Sequence, residues 1–217
     1  MAATVITIAQ QKGGAGKTTL AAQLAVALSD GGRRSIALVD IDPQGSLSRW
    51  FAVRQERLGE EAGGLRLSGI AGWRLSTELD RLRNSVDVVI VDTPPHAETE
   101  AKAAIRAAGV LLVPVQPSPM DLWATQPTLE AARKEKTPAR LVLNRMPPRG
   151  NLVDTIVAEV EKLDLPVTEA RLGNRVAFAA SMMDGLGVLE TAGRSQAAQE
   201  MRALAEEVIA IAAAGGR

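Results

Sequence analysis

The chain has 217 residues, of which 46% are hydrophobic and 23% are charged, and its 25 lysines and arginines balance its 25 aspartates and glutamates. This length suits one α/β domain, which we expect to span residues 1–217. Because cysteine is absent and His96 is the only histidine, thiolate chemistry is excluded and histidine metal sites are disfavoured. No apolar run is long enough to span a membrane and no signal-peptide layout is present, so we expect a cytoplasmic protein.

Short apolar runs alternate with helical patterns, which predicts a single α/β domain with a mostly parallel twisted sheet flanked by helices on both faces. In chain order, the pattern predicts strand Thr4–Ala9, helix Lys17–Ser29, strand Ser35–Asp40, a weaker strand Leu65–Ile70, helix Trp73–Arg83, strand Val86–Asp92, strand Gly109–Val115, helix Met120–Lys134, strand Ala139–Asn144, helix Leu152–Leu163, a weaker strand around Pro166–Thr168 and helix Gln196–Ala213.

A glycine-rich segment, residues 10–19, joins the first predicted strand to the first predicted helix. Glycines let a backbone approach phosphates closely, and the amides at a helix start favour an anion. We therefore predict a P-loop in which Lys17 reaches the β- and γ-phosphates and Thr18 ligates Mg²⁺ directly. A glycine-rich turn without a ligand is the alternative, and the second lysine of the segment, Lys12, together with a threonine pair, argues against it. The predicted ATP-binding residues of this segment are Lys12, Gly13, Gly14, Ala15, Gly16, Lys17, Thr18 and Thr19.

Two predicted strands end in aspartates at what we expect to be the same edge of the sheet, Asp40 and Asp92. A buried carboxylate is costly unless a cation pairs with it, and a hydrated Mg²⁺ beside the phosphates supplies that charge. We therefore expect Asp40 and Asp92 to contact the metal through water. Helix capping is the alternative for Asp40 and for Asp42, which follows it.

The pattern Lys-Gly-Gly-x-Gly-Lys-Thr-Thr at residues 12–19 resembles the deviant Walker A motif of the ParA/MinD family of ATPases. Residues 36–45, a strand followed by Asp-x-Asp-Pro-Gln-Gly, resemble the second motif of that family, and residues 88–95 resemble its Walker B strand and switch loop. Residues 114–121 and 184–190 are similar to the small plasmid-partition members, often called ParF-like. The resemblance covers essentially the whole chain and is looser after residue 121.

The resemblance implies a weak ATPase that uses Mg²⁺ and forms a homodimer around two ATP molecules. In that family the lysine matching Lys12 crosses the interface to the partner's ATP, and the acid matching Asp42 orients the attacking water, so Lys12, Lys17 and Asp42 are the implied catalytic residues. A solvated loop lysine is the alternative for Lys12. Asn144, at the end of a predicted strand, is placed to pair with the adenine edge, with a plain turn residue as the alternative.

The resemblance further implies that the ATP-bound dimer binds nonspecific DNA on the nucleoid and positions a cargo, which is a plasmid, a chromosome region or a protein assembly. A ParB-like or cargo-adaptor protein would stimulate hydrolysis. The end of the chain carries two acids and little bulk, so membrane binding is disfavoured. The alternatives are a MinD-like division-site regulator and a biosynthetic ligase of dethiobiotin-synthetase type. The candidate DNA contacts, each alternatively a solvated surface arginine, are Arg145, Arg149, Arg171, Arg175, Arg194 and Arg202.

Overall fold

A six-stranded parallel sheet lies at the centre of the protein. The computed structural model describes residues 2–95, 98–148, 151–162 and 165–215. In chain order, the strands are β1 (Thr4–Ile8), β2 (Ile36–Asp40), β3 (Leu65–Gly69), β4 (Val88–Asp92), β5 (Val110–Val115) and β6 (Ala139–Leu143). Their order across the sheet is β3-β2-β4-β1-β5-β6, and every neighbouring pair is parallel. The predicted single α/β domain with a mostly parallel sheet is therefore confirmed.

Helices connect these strands, as parallel pairing requires. In chain order, they are α1 (Lys17–Ser29), α2 (Ser46–Leu58), α3 (Leu75–Leu82), α4 (Glu98–Ala107), α5 (Pro119–Trp123), α6 (Gln126–Glu135), α7 (Asn151–Lys162), α8 (Val176–Met183), α9 (Val188–Thr191) and α10 (Gln196–Gly215). Two short 3₁₀ turns, Ala62–Gly64 and Gly72–Arg74, precede β3 and α3. Within the described ranges, no helix is both long and apolar enough to cross a membrane.

Both faces of the sheet are covered, which explains why the strands read as continuous apolar runs. Alternate residues of one strand face opposite layers: Ile6 and Ile8 of β1 pack with α1, α2 and α10, whereas Val5 packs with α3 and α4. A third apolar cluster joins β5 and β6 to α6 and α7. The helices thus form two layers around the sheet.

Two of the predicted elements are wrong in form. The single helix predicted over Met120–Lys134 is two helices, α5 and α6, separated at Ala124 and Thr125. Pro127 explains the break, because a proline ring clashes with the carbonyl group four residues earlier. The weak strand around Pro166–Thr168 is reduced to one isolated bridge between Val167 and Leu141.

The sheet brings the functional segments of the chain together at one edge. The carboxyl ends of all the parallel strands lie on the same side of the sheet. Strands β2, β3 and β4 lie on one side of β1, and the later strands β5 and β6 lie on the other side, so the strand order reverses at β1. In open α/β sheets, ligands bind outside the carboxyl ends of the strands where the strand order reverses. The glycine-rich loop that follows β1 lies at that point.

Candidate nucleotide-binding site

The loop between β1 and α1 has the backbone of an anion cradle. Gly14 and Gly16 have φ angles of 78° and 95°, in the left-handed region that glycine tolerates. A side chain at Gly16 would also place its Cβ only 2.6 Å from the Asn144 side-chain nitrogen. No side chain caps the start of α1, and no acidic residue occupies its first turn. The first amide groups of α1 are therefore left for a phosphate.

Lys17, the first residue of α1, is buried beside acidic side chains. Burial lowers the pKa of the Lys17 ammonium, while the charges of Asp92 and Asp42 act in the opposite direction and raise it. An ammonium held in this way is poorly hydrated and lies near two aspartates at the carboxyl edge of the sheet. This position suits a cation that binds phosphate oxygens.

Asp92 and Thr18 form the part of the site that fits a metal ion. The Thr18 hydroxyl donates a hydrogen bond of 2.7 Å to Asp92 Oδ2, and the other oxygen, Oδ1, is buried without a hydrogen-bond partner among the described residues. Burial raises the pKa of Asp92 to about 7, with the hydrogen bond from Thr18 lowering it and the charge of Asp40 raising it further. An unpartnered, desolvated carboxylate oxygen next to a hydroxyl fits a hydrated Mg²⁺.

No group of three or more histidine, cysteine, aspartate or glutamate residues that could hold a metal occurs in the described parts of the chain. A magnesium ion at Thr18 and Asp92 would therefore complete its coordination with phosphate oxygens and water, as Mg²⁺ usually does. Bound there, the ion would neutralise charge on the phosphates.

Asp40 and Asp42 make turn and capping contacts. Asp40, the register partner of Asp92 on the neighbouring strand, accepts hydrogen bonds from the Ser48 amide (2.9 Å) and hydroxyl (2.7 Å) and from the Asp42 amide (3.1 Å). Asp42 accepts one from the Gln44 amide at 2.9 Å. Their capping contacts are thus present, and their roles toward metal-bound water and the attacking water stay predictions.

Asn144 braces the P-loop and lines a neighbouring cavity. Its side-chain nitrogen donates to the Ala15 carbonyl at 3.0 Å, and its oxygen accepts from the Arg145 amide at 2.9 Å. The cavity has a volume of about 300 Å³, and Gly16, Thr19 and the 172–176 segment also line it. A cavity beside the phosphate-binding loop suits the nucleoside. The contact between Asn144 and the base is consistent with this cavity and stays a prediction.

Lys12 does not extend freely from the loop in the single chain. Its ammonium forms an ion pair and hydrogen bond with Asp121, which lies in α5 and is 3% exposed. A second contact joins the same segments, since the Gln116 side chain donates to the Gly14 carbonyl at 2.7 Å. Lys12 therefore differs from the solvated loop lysine that was the alternative, because its ammonium is paired with a buried carboxylate.

The candidate DNA-contacting arginines fall into two groups. Arg175 pairs with Glu200 through contacts of 2.5 to 3.1 Å, so its charge is compensated within the chain, and both Arg175 and Arg145 line the cavity beside the P-loop. Arg171, Arg194 and Arg202 are exposed, although Arg202 donates to the Gly193 carbonyl. Arg149 and also His96 lie outside the described residues.

Two features of the site had no assigned role at the nucleotide in the sequence-based prediction, which named Arg175 of the second feature only as a candidate DNA contact. Asp121 was part of a family-like segment, but nothing in the sequence indicated its contact with Lys12. The 172–176 segment, which forms the second wall of the cavity, has no strong periodicity. A serine before proline at 118–119 was the available signal for a helix start, because serine caps helices and proline favours the first turn.

Comparison with known proteins decides the family. The profile described as CobQ/CobB/MinD/ParA nucleotide binding domain matches residues 6–188. The chain belongs to this family. The suspected ParA/MinD relationship is therefore confirmed, and the phosphate-binding role of residues 10–19 stays a prediction.

Relatives and solved structures agree with this assignment. The chain is 31% identical to the maintenance of carboxysome distribution protein A of Halothiobacillus neapolitanus, covering 94% of this chain and 95% of that protein. It is 36% identical to the chromosome-partitioning ATPase Soj of Thermus thermophilus, but over only 51% of this chain and 54% of Soj. The septum site-determining protein MinD of Pyrococcus horikoshii, solved with Mg-ADP, has the same fold, with a TM-score of 0.80 at 21% identity over 99% of both chains.

Proposed function

We propose that this ParA/MinD-family protein is an ATPase that dimerises with ATP and Mg²⁺, binds DNA without sequence preference and positions a cargo. A partner protein, either ParB-like or a cargo adaptor, would stimulate hydrolysis. The dimer would reside on the nucleoid, and hydrolysis would release it.

The observation that carries this proposal is the pair of lysines on one P-loop. Lys17 is buried at the start of α1 near Asp92 and Asp42, so it can bind the phosphates of its own nucleotide. Lys12 lies five residues before Lys17 in the same loop, and its side chain is 39% exposed. A second, accessible cation at this place suits contact with a nucleotide held by another copy of the chain.

Within each subunit, different residues would bind different parts of the nucleotide and its metal ion. The P-loop amides and Lys17 would bind the phosphates, Thr18 and Asp92 would hold Mg²⁺, and Asp42 would orient the attacking water. Positioning and charge stabilisation account for most phosphoryl-transfer catalysis. Asp42 carries a weak carboxylate base and would act mainly by positioning the water, so we expect slow intrinsic hydrolysis until a partner completes the site.

A protein assembly is the cargo that the relatives favour. The protein named for maintenance of carboxysome distribution aligns with nearly the whole of this chain, whereas the Soj alignment covers about half of it. We infer that the cargo is a large protein assembly of this kind, bound through an adaptor that meets the ATP dimer.

DNA binding tests the positioning function. We expect fluorescence anisotropy to detect binding to a random-sequence duplex with a slowly hydrolysed ATP analogue but not with ADP. The affinity should fall steeply with salt, because phosphate contacts release counterions. The double variant Arg171→Glu/Arg194→Glu should weaken binding at least tenfold.

The matched control is Arg66→Glu/Arg83→Glu, which changes two other exposed arginines by the same net charge near β3 and α3. It should retain most of the affinity. Equal losses in both double variants would show that only the net charge matters, and binding that ignores the nucleotide would contradict the proposed switch. ATP hydrolysis that required an added small metabolite would instead favour the biosynthetic-ligase alternative.

A further inference from the structure

The ion pair between Lys12 and Asp121 joins two segments that flank the nucleotide site. Lys12 lies in the loop after β1, and Asp121 lies 109 residues later, in α5 after β5. The contact between Gln116 and the Gly14 carbonyl holds the same two segments together. In the single chain, the lysine is therefore held against its own fold.

Breaking this ion pair would destabilise Asp121 more than it would destabilise Lys12. The Asp121 side chain is 4% exposed, whereas that of Lys12 is 39% exposed. The second carboxylate oxygen of Asp121, Oδ1, is buried with no hydrogen-bond partner in the part of the chain that the structure describes. A buried carboxylate that loses its cation is strongly destabilised, whereas a partly exposed ammonium can regain water.

We propose that Asp121 is a positioning residue that keeps Lys12 bound to its own chain. The strength of this ion pair then sets the ATP concentration needed for dimerisation. The inference rests on the proposed function, in which Lys12 reaches the partner's nucleotide. To do so, Lys12 must leave Asp121, and the buried carboxylate then opposes the move. The triphosphate of ATP carries more negative charge than the diphosphate of ADP, so it competes better for the lysine. The ion pair thereby sharpens the discrimination between ATP and ADP.

Asp121→Asn tests the inference, because it keeps the shape of the side chain and removes its charge. We expect the concentration of a slowly hydrolysed ATP analogue that gives half-maximal dimer to fall about tenfold, the scale of one weakened ion pair. ADP should also begin to support dimers. Asp121→Glu keeps the charge and should stay near the wild-type protein. The double variant Lys12→Ala/Asp121→Asn should stay monomeric like Lys12→Ala, since the effect of Asp121→Asn acts through Lys12.

Asp87→Asn is the matched control. Asp87 also accepts hydrogen bonds, from Ser35, but it precedes β4 at the opposite end of the sheet. This control should leave the ATP requirement unchanged. A raised or unaltered ATP requirement in Asp121→Asn would overturn the inference.

Lysine acetylation followed by mass spectrometry separates the inference from the proposed function. In nucleotide-free protein, Lys12 should react several-fold more slowly than the exposed Lys136, and Asp121→Asn should remove the difference. If labelling behaves in this way but no dimer ever forms, the ion pair stands as a contact and the proposed function fails. If Lys12 in the wild-type protein reacts as fast as Lys136, the inference is overturned even if Asp121→Asn does not fold.

Discussion

Asp92 gives the sharpest prediction about the energetics of the site. Its pKa in the folded protein is about 7, above the ordinary value of 3.8, chiefly because the carboxyl group is buried. The folded state therefore keeps a proton that the unfolded chain has already lost. The stability that this proton contributes is fully present below the unfolded pKa near 4 and is lost as the pH rises through about 7. Asp92→Asn cannot ionise, so its stability lacks this loss.

The size of the effect follows from the two pKa values. Between pH 5 and pH 8, the wild-type protein should lose about 2–3 kcal/mol of unfolding free energy relative to Asp92→Asn. For a domain of this size, that difference corresponds to about 5–10 °C in melting temperature. Any change in hydrogen bonding with Thr18 that the amide introduces is independent of pH, so the change with pH carries the information.

Thermal unfolding followed by circular dichroism measures this difference. The protein is kept free of nucleotide and metal with a chelator, because a bound Mg²⁺ would favour the ionised form. The melting temperatures of the wild-type protein and Asp92→Asn are compared from pH 5 to pH 8, with Asp87→Asn as the control. The pKa of Asp87 is lowered by hydrogen bonds from Ser35, so this exposed group should not reproduce the trend. Melting temperatures for wild type and Asp92→Asn that run parallel across this range would refute the reasoning.

Three further substitutions test the geometry of the fold and the site. Gly16→Ala should reduce nucleotide affinity at least tenfold in a fluorescent-nucleotide titration, because the added Cβ would clash with the Asn144 side chain. Gly14→Ala is the control: position 14 also has a positive φ but has open space for a Cβ, so this variant should lose less nucleotide affinity. Arg54→Met should cost about 3–5 kcal/mol in urea denaturation, because Arg54 is buried and its removal leaves a paired glutamate and two carbonyls without their donor; a loss below 1 kcal/mol would contradict this. Gly185→Ala should destabilise the protein by at least about 3 kcal/mol, since its Cβ would lie 2.3 Å from the Arg54 backbone nitrogen, while Gly31→Ala at a similar φ has open space and should cost about 1 kcal/mol; equal losses would count against the contact.

The sequence predicted the strands well because their apolar runs are bounded by loops with glycine and proline. Helix α2 was not predicted, and its burial pattern explains why. Leu47, Trp50 and Phe51 face the core, but the next buried position is Arg54, whose guanidinium is bound by Glu190 and stacks 5.6 Å from the Trp50 ring. Because Arg54 is charged, the apolar residues of α2 do not repeat at helical spacing over its whole length, and hydrophobic periodicity alone does not predict the helix. Helix α8 was missed for the opposite reason, since its sequence has little polar face.

The P-loop and the aspartates that end β2 and β4 could be located from the sequence because each lies at the end of a recognisable strand. The contact between Lys12 and Asp121 could not, because it depends on β1 and β5 being neighbours in the sheet. Strand order is a property of the whole fold, and no local pattern specifies it. For the same reason, the wall of the cavity that residues 172–176 supply could not be assigned.

The molar mass of the protein in the presence of nucleotide tests the central claim most directly. Size-exclusion chromatography with light scattering should give about 22.9 kDa without nucleotide and about twice that mass with Mg²⁺ and a slowly hydrolysed ATP analogue. Lys12→Ala should bind the fluorescent nucleotide and remain at the lower mass. A wild-type protein that stays monomeric while saturated with the analogue, or a Lys12→Ala variant that dimerises as readily as wild type, would contradict the account.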